Sequence, residues 1–405
     1  MTGQHYVSNS VHKTLKLMTA VFVLGFLAST AAAQRFKVLY RFTGKDDGAT
    51  PQASLIRDAQ GNLYGTTYHG GAFGYGVVFR LEPDGKEIPL HSFDGVDGLS
   101  PDGSLVRGAD GNLYGTTIYG GTPEGGACLH GCGTVFKVEA SGKTTKLYAF
   151  TGQSDGSEPS GNLVLDAEGN LYGTTTYGGE ISSVCYYGCG VVFKVDKTGK
   201  EAVLHSFTNG PDGANPVGGV IRDEAGNLYG TTSGGGTNGV GTVFKVDGAG
   251  SETVLYSFIE EREEWPESTL TRDGEGNLYG TTVGFSYGTL FELDKNGNET
   301  VLYTFNNQSL GSHPVAGVAL DASGNFYGTT TAGGKPPCAC GVVFKVDRKG
   351  QGKVLYNFTG EVSTRRFTPA GVILDKVGNI YGTSPYGGSS FRCDHECGFV
   401  YEITP

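Results

Sequence analysis

Methionine occurs only twice and tryptophan once in 405 residues, whereas glycine (69), tyrosine (22) and phenylalanine (22) are abundant. That balance argues against a mainly helical chain and predicts short β-strands joined by tight turns. Basic charge is also scarce, with 30 Lys and Arg against 41 Asp and Glu. A chain this acidic is not expected to partner nucleic acid or anionic membranes. Long apolar runs are missing as well. The run from Leu17 to Leu27 follows His12, Lys13 and Lys16 and leads to Ala31-Ala32-Ala33. It is too short to span a bilayer comfortably and reads as a secretory signal peptide over residues 1–33, cut before Gln34. The mature chain, with 28 basic and 41 acidic side chains, is expected to be secreted, extracellular or periplasmic. It should carry no membrane span and should be a monomer.

Also missing are the short motifs that announce common chemistries. The sequence has no His-Glu-x-x-His, no nucleotide-binding glycine motif in a confirming context, no Ser, His and Asp arrangement of that kind and no EF-hand loop.

What is present is a repeat. Gly61-Asn62-Leu63-Tyr64-Gly65-Thr66-Thr67 returns with its tyrosine at Tyr114, Tyr172, Tyr229, Tyr279, Tyr327 and Tyr381, at spacings of 48 to 58 residues. A second landmark, the aromatic of a Gly-Val-Val-Phe strand, recurs at Phe79, Phe136, Phe193, Phe244, Phe291, Phe344 and Tyr401. From each aromatic to the next tyrosine there are 35 to 37 residues, but from tyrosine to aromatic 12 to 22. One connection absorbs the length variation, as a surface loop on a rigid scaffold does.

Each repeat parses into four short strands. A proline precedes the first in every copy (Pro51, Pro101, Pro159, Pro216, Pro266, Pro314, Pro369), and turns such as Asp58-Ala59-Gln60-Gly61-Asn62 separate the first and second strands. The chain opens with a fourth-type strand at Val38 to Phe42 and closes with a third-type strand at Phe399 to Ile403. The expected fold is an all-β, seven-bladed β-propeller of four-stranded blades. It forms one domain over residues 34–405, closed by pairing of 38–42 with 399–403. An open solenoid is the alternative.

The recurring Asp-x-x-Gly-Asn-Leu-Tyr-Gly-Thr-Thr, Gly-Val-Val-Phe-Lys-Val and Val-Leu-Tyr-Ser-Phe segments resemble the Gloeobacter and Verrucomicrobia-type tandem repeat of exported bacterial proteins, along the whole mature chain. Asp-x-x-Gly-Asn-Leu-Tyr is also similar, more loosely, to the repeat of NHL-type propellers. The resemblance implies a propeller fold and an exported location. It implies no catalytic residues.

All eight cysteines fall in the variable loop, as Cys128 with Cys132, Cys185 with Cys189, Cys338 with Cys340 and Cys393 with Cys397. Even count, local pairing and export favour four intraloop disulfides that stiffen loops, with Cys338 and Cys340 the pair to be free or labile. Metal is the rival reading, because His130 and His395 sit between paired cysteines.

The chemistry-bearing candidates are few. Arg57, Arg107, Arg222 and Arg272 end first strands and would either hold an anion or pair with a neighbouring group. His91 and His205 replace a strand tyrosine and read as packing residues. Asp46-Asp47-Gly48, Asp94 to Gly98 and Pro211-Asp212-Gly213 fit either calcium or Asx-turns, and no other cofactor is expected. The candidate ligand face comprises the variable loops and the fourth-to-first connections. It carries Tyr68, His69, Tyr119, Tyr186, Tyr187, Trp265, Phe285, Tyr287 and Phe391. Tyr177 and Tyr386 lie there too, as contact or loop-packing residues. Rigid aromatics on braced loops suit a glycan or protein ligand. The expected function is an exported, non-catalytic binding or scaffold propeller. The alternative is a secreted propeller hydrolase or lyase with a metal-assisted site at the central channel.

Overall fold

The computed structural model describes residues 34–121, 128–259, 265–284, 287–307, 309–336, 339–358, 370–387 and 397–405. The predicted leader lies outside them.

Each blade is built from its central pair of strands. In blade 1, Leu63–Thr67 and Val77–Leu81 are almost wholly buried, whereas the outer strand Glu87–Ser92 is half-exposed and the inner strand is trimmed to Ile56–Arg57. Strands buried on both faces read as continuous apolar runs, and the Gly-Val-Val-Phe segment is one. The turn between first and second strands is organised by an aspartate. Asp58 Oδ1 accepts from the amides of Gln60 (3.0 Å) and Asn62 (2.8 Å), while Oδ2 accepts from Asn62 Nδ2 (2.8 Å) and the Tyr64 hydroxyl (3.0 Å). Gly61 takes φ 91° inside this turn. The Asp-x-x-Gly-Asn-Leu-Tyr motif is therefore one hydrogen-bonded unit, repeated at Asp166, Asp223, Asp273, Asp321 and Asp375. Blade 2 has Gly108 in the aspartate position, and Asp110 takes over Asn112.

The two threonines of the repeat have different tasks. Thr67 Oγ1 accepts from the Val77 amide (3.1 Å) and donates to His69 O (3.0 Å), pinning the root of the variable loop. The preceding threonine reaches the next blade. Thr231, Thr281, Thr329 and Thr383 donate to the carbonyls of Ser268, Ala316, Ala370 and Ala53. Where the receiving residue is Gly103, Gly161 or Gly218, the hydroxyls of Thr66, Thr116 and Thr174 are buried without a partner among the described residues.

Seven four-stranded blades result, blade 5 gaining the short segment Trp265–Pro266. The ring closes as the repeat phase predicts. Arg35–Arg41 pairs antiparallel with Phe399–Thr404, from Arg35 opposite Thr404 to Arg41 opposite Phe399, with an irregularity between Val38 and Tyr40. The last blade therefore takes three strands from the C-terminal end and one from the N-terminal end, and the open solenoid is excluded. Between blades, the phenylalanine after each outer strand meets the third-strand aromatic of the next blade edge-on. The centroid distance is 5.1 Å for Phe42 with Phe79, 5.0 Å for Phe150 with Phe193, and 5.7 Å for Phe358 with Tyr401. Residues 34–405 form one compact unit.

Burial works against ionisation of the turn aspartates, but the hydrogen bonds from asparagine, tyrosine and backbone outweigh it and hold Asp58, Asp166 and Asp223 below the usual carboxylate range. Their stabilisation is present above the unfolded-state pKa and is lost as pH falls through the lower folded value. Asp223→Asn should cost about 1–2 kcal/mol at pH 7 and less at pH 2.5. Urea unfolding at the two pH values checks this.

Candidate functional site

The variable loops and the connections into the inner strands share one face of the ring. In five of these connections the residue before the proline takes a left-handed φ although it is not glycine: Thr50, Ser100, Glu158, Asn215 and His313 lie at 54° to 60°. Such a backbone costs of order 1–3 kcal/mol unless its surroundings over-determine it. Here they do. The Glu158 amide donates to Cys132 O (2.9 Å) in the loop of blade 2, and its carbonyl accepts from Thr176 N (3.1 Å) in blade 3. Equivalent bonds fix Thr50, Ser100, Asn215 and His313. Each of these residues is a fixed post between two loops.

Two loops are braced further by disulfides, Cys128–Cys132 in blade 2 and Cys185–Cys189 in blade 3. Cys340 and Cys397 are also disulfide-bonded, so Cys340 is not a free thiol, while Cys338 and Cys393 lie outside the described residues. With their sulfurs oxidised, these loops offer no thiolate ligands. No group of three or more His, Cys, Asp or Glu that could hold a metal occurs among the described residues.

Between the two braced loops lies a groove of about 600 Å³, lined by Tyr119, Leu129, His130, Glu158, Tyr177, Ile181, Tyr186 and Tyr187. Its rings meet at steep angles. Tyr177 and Tyr187 are 6.5 Å apart at 72°, Tyr186 and Tyr187 4.9 Å at 87°, and Tyr119 and His130 6.2 Å at 73°. Leu129, Tyr186 and Tyr187 stand 89%, 77% and 72% exposed. Burial, then the charges of Glu158 and Asp102, push the Tyr119 hydroxyl above its ordinary pKa. Burial likewise raises Glu158 itself.

Of the residues singled out in the sequence, the groove brings together Tyr119, Tyr177, Tyr186 and Tyr187. Tyr68 lies close enough to feel the charges of Asp102 and Glu158. His69 packs edge-on against Tyr68 at 4.7 Å, and burial lowers its pKa. Trp265 is apart from the groove, opposite Val283 in blade 5 and packed with Val240, Phe258 and Leu270. Tyr287 faces His313 at 6.4 Å, where blades 5 and 6 meet. Phe285 and Phe391 lie outside the described residues. Sequence reasoning named His130 only as a metal candidate and passed over Leu129, Glu158 and Ile181. The signal for Leu129 and Ile181 was their place inside or beside a cysteine-bounded loop. For Glu158 it was the recurrent pre-proline position.

The other concavity is the central channel, a cavity of about 510 Å³ walled by the inner strands, with Gln52, Asp102, Ser160 and Glu267 among its residues. Asn162 crosses it: Oδ1 accepts from the Ser104 amide (3.0 Å) and Nδ2 donates to Thr269 Oγ1 (3.2 Å), joining blades 2, 3 and 5. Burial pushes Asp102 up to about 6 and raises Glu267 in the same sense.

Three of the four strand-ending arginines pair with a neighbouring ring. Arg57, Arg107 and Arg222 lie over Tyr381, Tyr64 and Tyr172 of the preceding blades, at 5.5, 5.9 and 5.6 Å. His91 Nε2 sits 2.6 Å from Asp97 Oδ2 and His205 Nε2 3.4 Å from Asp212 Oδ2, where the equivalent strands place the Tyr40–Asp47 and Tyr148–Asp155 hydrogen bonds. Both histidines thus brace a loop. The Asp-Gly loops show Asx-type bonding. Asp47 accepts from Tyr40, from the Thr43 amide and hydroxyl, and from Lys45 N, and Asp212 does the same for Thr208 and Gly210.

The chain matches the model of the Gloeobacter/Verrucomicrobia repeat over residues 24–184, 118–287 and 284–405. A search among curated proteins finds no match. Among solved structures, virginiamycin B lyase from Staphylococcus aureus is similar at 14% identity and a TM-score of 0.60, with 92% of this chain and 99% of that one covered. Two extracellular domains from B. thetaiotaomicron are similar as well. One, assigned to a hybrid two-component system, has 14% identity and a TM-score of 0.54, covering 91% of this chain and 41% of that one. The other, assigned to a one-component system, has 10% identity and a TM-score of 0.55, covering 90% and 39%. At these identities the likeness shows the fold alone.

Asp102 supplies a test of the channel electrostatics. Its carboxyl ionises in the folded state only near pH 6 rather than at its ordinary 3.8, so folding is penalised as pH rises between those values. Asp102→Asn should raise stability at pH 7.5 by on the order of 1–2 kcal/mol and leave it unchanged at pH 3.5, as read by urea unfolding.

Proposed function

Because the chain belongs to the Gloeobacter/Verrucomicrobia repeat family, whose repeats here close into a regular ring that varies chiefly in its loops, we propose that it is an exported binding module. In this reading it is not catalytic, and it takes a glycan or protein ligand in the groove between the loops of blades 2 and 3. One observation carries the reading: exposed tyrosines stand at fixed angles on loops braced by Cys128–Cys132 and Cys185–Cys189. Aromatic side chains held in place gain contact area at low entropic cost, and a concavity of this size is in the range of ligand sites. Export is supported by the signal-like residues 1–33 and by the disulfides, which persist in oxidising compartments.

The second reading, a channel hydrolase or lyase, rests on Asp102 and Glu267 in the cavity wall. Neither carboxyl has a hydrogen-bonded base or nucleophile among the described residues, and Asn162 is held across the channel by Ser104 and Thr269. A catalytic pair would need such a partner.

The mature, oxidised chain displayed against a glycan array and against surface-protein extracts tests the proposal. Tyr177→Ala and Tyr187→Ala should each weaken capture by about tenfold or more, and Tyr287→Ala should leave it unchanged. Capture that survives both groove substitutions overturns the assignment.

A further inference from the structure

The inner wall of the groove combines a carboxylate with rings set nearly perpendicular to one another. Glu158 is half-buried, its backbone is held from both sides, and among the described residues its carboxylate makes no hydrogen bond and no ion pair. Among the described residues no Lys or Arg lines the groove, and, after burial, the negative charges of Glu158 and Asp102 act on both Tyr68 and Tyr119. The site is thus electronegative twice over, from the carboxylate and from the faces of the tyrosines, whose quadrupoles attract cations. Rings meeting at 72° and 87° do not present one flat surface. A flat sugar face would be better served by exposed coplanar rings.

We propose that this end of the groove is an aromatic cage for a small quaternary ammonium cation, with Glu158 as the counter-charge and Tyr119, Tyr177 and Tyr187 as walls. The proposal rests on the groove being a binding site and specifies what group it recognises. A methylated ammonium suits the lining better than a primary one. Its methyl groups pack against Leu129 and Ile181, and it brings no N–H donors, whereas a primary ammonium brings three that must each find an acceptor. The exposure of Tyr186 and Tyr187 leaves the mouth open to whatever carries the cation.

Choline chloride is the probe, titrated calorimetrically into the mature, oxidised chain, with its neutral carbon isostere 3,3-dimethylbutan-1-ol as the control. Choline should bind saturably, and the isostere should be about tenfold or more weaker. Glu158→Gln, which keeps the side-chain shape, should weaken choline by roughly 3- to 30-fold without lowering the thermal midpoint, and Tyr177→Ala should weaken it comparably. Equal binding of the isostere, unchanged binding by Glu158→Gln, or no saturable choline binding overturns the cage. If choline fails while Tyr177→Ala and Tyr187→Ala still abolish capture of an array ligand, the cation assignment falls and the binding-module reading stands. If those variants also leave array capture untouched, both fall.

Discussion

The ring depends on one contact made at every blade junction, the edge-to-face packing of the phenylalanine after an outer strand on the third-strand aromatic of the next blade. Each pair adds about 0.5–1.5 kcal/mol beyond the area it buries. Its geometry also dictates neighbouring residues. A Cβ on Gly65 would stand 2.7 Å from Phe79 Cζ, and the equivalent glycines of the other blades meet their third-strand aromatics as closely. The glycine of Leu-Tyr-Gly-Thr-Thr is thus the space the aromatic ring needs. In blade 7 the partner is Tyr401, and its hydroxyl is buried without a partner among the described residues. Closure by Arg35–Arg41 matters for the same reason, since it delivers Phe42 to Phe79 and completes the circle.

A scaffold this repetitive leaves individuality to what the junction contacts do not constrain. The variable loops leave the strands at a threonine whose hydroxyl ties the loop root and return to an amide on the same hydroxyl, so their length changes without disturbing the sheet. In five blades the pre-proline residue is held to the preceding blade's loop by its amide and to its own blade by its carbonyl, so its side chain is free to differ. At that position stand Thr50, Ser100, Glu158, Asn215 and His313, and Glu158 is the one that lines the groove. Function in this protein is read from departures from the repeat rather than from the repeat itself.

Those departures explain which parts of the site were legible beforehand. Tyr119, Tyr186 and Tyr187 announce themselves as aromatics in loops with paired cysteines. Glu158 does not, because a lone glutamate before a proline is unremarkable until the positive φ and its two backbone hydrogen bonds are known. The arginines ending four inner strands invited an anion site, but three of them lie over the tyrosine of the preceding blade, a relation between residues about 40 to 60 positions apart, or at opposite ends of the chain, that no local pattern carries. Asn162 is similar. Its partners Ser104 and Thr269 are 58 and 107 residues away.

The sequence by itself determined the blade count, the strand order, the turn chemistry of Asp-x-x-Gly-Asn and the phase of the closing strand. All of these follow from a local pattern repeated seven times, with hydrogen bonds spanning two to six residues. Only the tertiary structure decided which loops face each other across a groove, which carboxylate is left unpaired there, and that the channel is crossed by Asn162. These are distances between different blades, set by the ring's diameter and by junction packing, and a linear pattern contains no record of either.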